Sequence, residues 1–375
     1  MALSKVDLAN MVENVAPSST IPDVNFRNIV INGDMSIAQR GTSTTSISSG
    51  SNYYTVDRNK VFVNSGGTWT MTQETDAPSG QGFVKSLKMD CTTANASLSA
   101  GSYVFVSQRF EGQNLQYLKK GTSSAESLTA SFWVKSNKTG TYILEIKDSD
   151  NTRTINKSYT ISVANTWEKK TITFDGDTTG TLDNDNNQSI QFNFYLAAGT
   201  DYTSGTLQTS WGAQVTANRA VGQVNLADST SNEWYITGVQ LEVGSAASDF
   251  EFLPVDVNEK RCNRYYYTTA DWQGGYYLGA TTDPTQQGAL CVTNLKTDDI
   301  NGHGVRFPVR MRAAPTITFY PRASNTSGSV HYNGGTNTAV GGQISPVGTA
   351  FIDITSGSST EISFLCYAYK VDAEL

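Results

Sequence analysis

Three stretches of the 375-residue chain set aromatic, amide and charged side chains where they could grip a ligand. In LTASFWVK (128–135), Leu128, Ala130, Phe132 and Val134 alternate with Thr129, Ser131, Trp133 and Lys135. In TYILEIK (141–147), Tyr142, Leu144 and Ile146 alternate with Thr141, Ile143, Glu145 and Lys147. In IQFNFYL (190–196), Ile190, Phe192, Phe194 and Leu196 alternate with Gln191, Asn193 and Tyr195. A period of two sends one set into a core and the other outward, as in half-buried antiparallel strands. Should these strands share a sheet, one outward face carries Trp133 and Tyr195 among Lys135, Glu145, Gln191 and Asn193. A sugar has an apolar C–H face and a rim of hydroxyls, so flat rings flanked by amides and charges complement it. The plainer reading packs Trp133 under a loop, against a second domain or in a subunit contact. Trp69, Trp167, Trp211 and Trp234 read as core or sandwich-edge residues.

A second set lies further on. Trp272, Tyr276 and Tyr277 occur in a glycine-rich segment, and His331 and Tyr332 in a long polar loop. Loops on a rigid scaffold often carry recognition, so these five are read as tip-loop recognition residues, with simple solubility as the alternative.

Other chemistries find little support. The sequence has no G-x-x-x-x-G-K-[ST], G-x-S-x-G or H-E-x-x-H. Its two histidines, His303 and His331, both sit in glycine-rich text, which leaves a nucleophile–histidine system little to work with. Paired carboxylates could still hydrolyse a glycoside, but nothing singles out Glu145, Glu111 or Asp90 from other acids. Asp183, Asp185 and Asn187 open like a calcium loop. Gln188 and Phe194 then stand where that loop needs glycine and a bidentate glutamate, so a hairpin turn is expected there. Cys91, Cys262, Cys291 and Cys366 are scattered and read as free thiols. No catalytic residue, metal or cofactor is expected.

The elements that must position these residues are strands. Besides the three above, strands are expected near 83–90, 101–109, 158–163, 168–174 and 233–242, separated by Asp/Asn/Gly turns such as KDSDN and DNDNNQ. Many short strands at such spacing point to a β-sandwich over 28–254. EFLPVDVNEKRCNR (251–264) follows as a connector with a short helical turn. Strand-like text resumes at YYYTT, GGYYLGAT, GALCVTNL, HGVRFPVRMR, PTITFYP and EISFLCYAYKV, around a Gly/Ser/Asn/Thr-rich stretch at 323–349. A second β-sandwich is therefore expected over 255–375, making the fold class all-β. Residues 1–27 carry Leu8, Met11, Val12 and Val15 at helical spacing, then Pro17 and Pro22, and read as an arm that folds on a partner or on its own copies, with a frayed terminus as the alternative.

Composition agrees. Charged residues make up 16%, against roughly 25% in ordinary soluble proteins, while 18 tyrosines and 15 phenylalanines sit among Ser, Thr, Asn and Gly. That is β-rich text, and too aromatic for a disordered chain. A net charge of −7 and no lysine/arginine block argue against a nucleic-acid partner. No apolar run is long enough for membrane insertion, and the start lacks the apolar stretch of a signal peptide.

Several stretches together resemble a known family. NIVINGDMSIAQRGTS (28–43) with DRN (57–59) resembles the opening of phage and prophage tail-fibre proteins of the N-G-D-M-x-I-x-Q-R-G type. SQRFEG (107–112), LTASFWVKSNKTGTY (128–142), TWEKKTITFDGD (166–177) and WYITGVQLEVGSAASDFEF (234–252) resemble their carbohydrate-binding-module-like jelly roll. RCNRYYY (261–267) and FPVRMRAAPTIT (307–318) resemble the entry to, and a segment of, the tip domain that follows. The resemblance implies a virion protein of the tail, assembled in the host cytoplasm and usually trimeric, that presents a β-sandwich and a distal tip to host surface polysaccharide. An arm of 27 residues is short for a shaft, which suits a compact spike or a fibre held by a separate adaptor. The alternatives are a purely structural tail or capsid decoration and a polysaccharide depolymerase.

Overall fold

The computed structural model describes residues 26–269, 290–295, 303–321, 328–332, 336–339, 341–345, 349–353 and 362–375. Among the described residues, thirteen strands precede residue 250: β1 (Ser43–Ile47), β2 (Gly50–Tyr53), β3 (Lys60–Asn64), β4 (Thr68–Glu74), β5 (Ser86–Thr93), β6 (Tyr103–Glu111), β7 (Leu128–Ser136), β8 (Gly140–Asp148), β9 (Arg153–Ile161), β10 (Glu168–Phe174), β11 (Gln188–Ala198), β12 (Gly212–Ala213) and β13 (Glu233–Val243). They form two antiparallel sheets. Sheet A runs β1-β4-β5-β13-β7-β10, and sheet B runs β12-β9-β8-β11-β6-β3-β2.

The alternation read from the sequence holds strand by strand. Ala130, Phe132 and Val134 of sheet A and Tyr142, Leu144, Ile146, Phe192 and Phe194 of sheet B are buried in one core, with Trp69 and Trp234 among them. Phe132 ties the layers together: its ring meets Phe194 edge-on at 5.2 Å and Tyr159 at 5.1 Å, both from the facing sheet. β13 carries a bulge between Thr237 and Gln240. Gly238 there has φ +61, and a Cβ would lie 2.6 Å from the Phe83 ring, so both backbone and packing require glycine.

After Pro254 the chain forms helix α1 (Val255–Asn263), with Asp256 in its first turn and Lys260 and Arg261 in its last, the charge order that suits a helix dipole. The connector is thus a nine-residue helix rather than a single turn. Its Cys262 is fully buried with Ile31, Ile37 and Tyr265. The strands that follow are β14 (Tyr266–Thr268), β15 (Leu290–Leu295), β16 (His303–Arg306), β17 (Thr316–Pro321), β18 (Ser329–Tyr332), β19 (Thr336–Ala339), β20 (Gly341–Ser345), β21 (Thr349–Asp353) and β22 (Ile362–Asp372). β22 is the spine: β14 and β15 pair along one edge, β17 and β18 along the other. β16, β20 and β21 form a separate small sheet. The described residues are therefore all-β apart from α1 and short helical turns. The 323–349 stretch, expected as a polar loop, contains β18, β19 and β20, and His303 falls on β16. Ser, Thr, Asn and Gly show no hydrophobic alternation, so backbone pairing alone reveals these strands. GGYYLGAT lies outside the described residues, as does the arm up to residue 25.

Five of the stretches that resemble tail-fibre proteins (28–43, 57–59, 107–112, 261–267 and 307–318) supply residues to the contact between the sandwich and this C-terminal part. Glu111 on β6 is fully buried and accepts from Arg264 Nε (2.8 Å), Arg264 Nη2 (2.6 Å) and the Tyr265 hydroxyl (2.6 Å). Burial pushes its carboxyl up, but these hydrogen bonds outweigh that and hold it below the usual range. Arg58 lies 3.5 Å from the Tyr265 ring centroid, pairs with Glu374 and donates to the Arg109 carbonyl at 2.7 Å. Gln39 Nε2 bridges Asp57 (2.7 Å) and the Tyr266 carbonyl (2.9 Å), and Arg40 stacks on Tyr266 at 3.6 Å. Arg312 donates to the carbonyls of Ala373 (2.8 Å) and Asn186 (2.7 Å).

This packing has two measurable consequences. Phe132→Ala removes the ring that joins the layers and should cost about 3–5 kcal/mol in urea unfolding. Buried Asp177 is held by Arg153 (2.7 and 2.9 Å) and Lys120 (2.9 Å). Burial raises its pKa, but these partners prevail and bring it down to about 2. A carboxyl depressed in the folded state stabilises above its unfolded value, roughly 3.9, and that contribution disappears as pH falls toward 2. Asp177→Asn should therefore flatten the acid limb of a thermal-stability profile between pH 4 and 2, as read by circular dichroism.

Candidate functional site

The expected aromatic face divides between the two sheets. Trp133 and Lys135 lie on β7 in sheet A, whereas Glu145 (β8) and Gln191, Asn193 and Tyr195 (β11) lie in sheet B. All of them point away from the core, as alternation requires. The segments 137–139 and 175–187 carry the chain from one sheet to the other, so the two sets occupy opposite outer faces.

On sheet B the outward residues are enclosed. Residues 199–225 lie over them, and Tyr202, Leu207 and Ala220 pack against Phe105, Ile143 and Tyr195. Glu145, Asn193 and Tyr195 are each 0% exposed. Glu145 takes both Arg219 Nε and Nη2 at 2.7 Å, Asn193 Nδ2 at 2.7 Å and the Tyr195 hydroxyl at 3.4 Å. Burial lifts the Tyr195 hydroxyl well above its ordinary pKa. Gln191 is half-buried and donates to Ser149 at 3.3 Å. This is a buried network centred on Glu145 that fastens the 199–225 cover, and it offers no free face to a sugar.

On sheet A the outward face carries rings that are partly open. Trp133 stands between Lys169 of β10 and Thr237 of β13. Two residues along, Lys135 faces Tyr235, with Nζ 4.0 Å from that ring centroid and 5.5 Å from Trp167. Lys135 pairs with Asp76, whose other oxygen accepts Trp167 Nε1 at 3.0 Å. Trp167 meets Tyr235 edge-on at 6.2 Å. Lys88 pairs with Glu233 at 2.8 Å, and Glu233 accepts the Tyr235 hydroxyl at 3.0 Å. Burial raises Asp76, yet the bonds from Lys135 and Trp167 prevail and lower its pKa. Burial likewise works against the Lys88 cation, and Glu233 overcomes it and raises the pKa. Burial pushes the Tyr235 hydroxyl up to about 12. The result is two partly exposed indoles, Trp133 and Trp167, above a lattice of fixed charges.

Sequence reading missed Tyr235, Trp167, Asp76, Lys88 and Glu233. Tyr235 was accessible to it: in the 233–242 strand it alternates with core residue Trp234. Trp167 and Asp76 lie outside strands and reach this face through the folded chain. Of the tip-loop set, Trp272, Tyr276 and Tyr277 lie outside the described residues. His331 and Tyr332 fall on β18, opposite Asn337 and Thr336 of β19 and Cys366 and Leu365 of β22, instead of in a loop.

The Asp183–Asn187 turn is a crossover from β10 to β11 rather than a hairpin. Asp150 accepts the Asp183 amide at 2.9 Å, and Asp185 accepts the Asn187 amide at 2.9 Å. Among the described residues, no group of three His, Cys, Asp or Glu side chains is placed to hold a metal ion. Cys91 and Cys262 are free and buried, and Cys291 stands opposite Cys366 in the β15–β22 register.

No family model matches the chain, and no curated protein matches it. Solved structures do show a likeness. A putative sugar binding protein from Bacteroides thetaiotaomicron is 13% identical, with a TM-score of 0.32 over 58% of this chain and 100% of its own. A family 11 carbohydrate-binding module from Clostridium thermocellum, in complex with a β-1,3-1,4-mixed-linked tetrasaccharide, is 12% identical, with a TM-score of 0.28 over 56% and 98%. The enzymatically active domain of tailspike protein 4 of bacteriophage CBA120 is 14% identical, with a TM-score of 0.30 over 58% of this chain, which spans only 22% of that structure. At these scores the likeness assigns no ligand or activity to the chain, whose sandwich rests on its own strand register and core.

The enclosed network makes a direct prediction. Arg219→Ala strands Glu145 as a buried, unpaired carboxylate and should cost about 3–5 kcal/mol. Adding Glu145→Gln should restore part of that loss in denaturant unfolding. A binding role for Glu145 on this face would instead leave stability unchanged in the single variant.

Proposed function

We propose that this protein attaches a tailed phage to its host by binding surface polysaccharide without cleaving it, through the outer face of sheet A. The observation that carries this reading is the pair of partly exposed indoles, Trp133 and Trp167, held over the Lys135–Asp76 and Lys88–Glu233 pairs. Fixed rings stack on the C–H face of a pyranose with little loss of side-chain freedom, and the charged rim hydrogen-bonds its hydroxyls. The resemblance of the ordered motifs to tail-fibre proteins supports the rest of the reading. The chain acts as a homotrimer in the virion tail, with an arm at 1–27 for the tail or an adaptor, a sandwich at 28–254 and a tip domain at 255–375. Three copies multiply weak single-site affinity, because later contacts are made at high effective concentration.

Trp133 contributes a ring to the surface and none to the core, so Trp133→Ala should fold normally. A single site should lose about 0.5–1.5 kcal/mol, roughly 2- to 13-fold in Kd, and trimeric attachment to polysaccharide should lose more. Unchanged binding on a glycan array would remove this face as the receptor site. In sedimentation velocity the protein should run as an elongated particle of about three times the 40.5 kDa chain, and a compact monomer would contradict the fibre reading.

A further inference from the structure

A second concavity lies at the contact between the sandwich and the C-terminal strands. It is a cavity of about 290 Å³ whose walls come from Arg40, β2 with the adjoining Tyr54, β14, β17 and β22. The volume sits at the small end of ligand sites, which run roughly 300–1,000 Å³, and suits one sugar ring better than an extended chain. Tyr54, Tyr266 and Tyr320 line it, and their hydroxyls make no hydrogen bond among the described residues. Arg40 lies flat on Tyr266 at 3.6 Å; its Nη2 meets Asp372 and Glu374 at 3.4 Å, while its buried Nη1 has no partner. Lys370 Nζ stands 5.7 Å from the Tyr320 ring centroid and makes no ion pair among the described residues.

The charges here run against the rest of the molecule. The chain carries −7 overall, yet around the Tyr53 ring stand Lys60 at 5.2 Å, Arg40 at 5.4 Å and Arg58 at 5.9 Å, with Lys370 across the cavity. Glu374 is engaged by Arg58, and Asp372 by Arg40. Burial and the neighbouring cations Arg109 and Arg58 bring Lys60 down to about 8, in spite of Asp372. A larger cleft of about 880 Å³ runs from Phe26 to Arg264. Among its charged walls, Arg264 pairs with Glu111 and Lys119 with Glu126, while among the described residues Arg261 donates only to the Asn28 carbonyl at 3.1 Å.

We propose that the Tyr54–Tyr266–Tyr320 cavity is a binding site for a single sugar ring bearing a carboxylate, a hexuronic acid being the simplest example. The ring lies among the tyrosines and is hydrogen-bonded by their hydroxyls, and its carboxylate meets Lys370 and the guanidinium edge of Arg40. The site draws on both parts of the chain and does not depend on the Trp133 face.

The test uses the full-length chain with glucuronate and glucose as probes in isothermal titration calorimetry. Glucuronate should bind about tenfold or more tighter than glucose, the factor expected of one charge-assisted hydrogen bond. Lys370→Gln should erase that preference, and Tyr320→Phe should weaken glucuronate by about threefold or more. Trp133→Ala should leave glucuronate binding unchanged, so loss of polysaccharide binding in that variant reports on the sheet A face alone. The proposal is overturned if neither sugar binds at tens of millimolar, if the two bind equally, if Lys370→Gln keeps the preference, or if Trp133→Ala abolishes glucuronate binding. Lys370 and Tyr320 sit at the cavity wall and are half-exposed, so both variants should keep the parent circular dichroism spectrum.

Discussion

The contact between the sandwich and the C-terminal strands hangs on buried charge. Glu111 has no exposed surface, and Arg58 none either. Each is tolerable only because the other part of the chain supplies its partner: Arg264 and Tyr265 for Glu111, Glu374 and the Tyr265 ring for Arg58. A buried ion left alone costs several kcal/mol, so neither part can satisfy its own interior without the other. This constraint explains why α1 and β22 sit where they do, and why Arg40 and Tyr266 close one wall of the second cavity.

It also gives physical meaning to the family-like stretches. Asn32, Gln39, Arg40, Asp57, Arg58, Glu111, Arg264, Tyr265 and Arg312 are far apart in the chain and adjacent at this contact. Their residue types suit a joint between two parts of a chain, because planar guanidinium groups stack on tyrosines while forming paired hydrogen bonds to carboxylates and carbonyls. These parts of the motifs are therefore architectural. Trp133 and Trp167 lie in two other family-like stretches, 128–142 and 166–177, which fall on sheet A and its edge.

The two outer faces show how a single pattern yields opposite results. Lys135 on sheet A and Glu145 on sheet B occupy equivalent outward positions beside aromatic rings. Residues 199–225 cover Glu145, where Arg219 completes a closed network. Among the described residues no comparable segment closes over Trp133 and Trp167, and these rings remain partly open to solvent. Whether an outward polar set is buried or left partly open depends here on the path of one connecting segment.

Alternation by itself determined the all-β class, the inward and outward sets of β7, β8 and β11, and the bounds of β10. It also placed β5, β6 and β13 to within a few residues and caught the end of β9, whereas β1–β4 and β12 were not among the expected strands. These follow from local chemistry, since a strand's period of two is written in neighbouring residues. The polar strands β18–β20 escaped because only their backbone pairing defines them. Which strands share a sheet was decided by the tertiary structure. The crossovers at 137–139 and 175–187 separate Trp133 from Tyr195, and nothing in either strand's own residues records that. Exposure was decided the same way. A side chain's type says that it can face water, and only the fold says whether another segment lies on top of it.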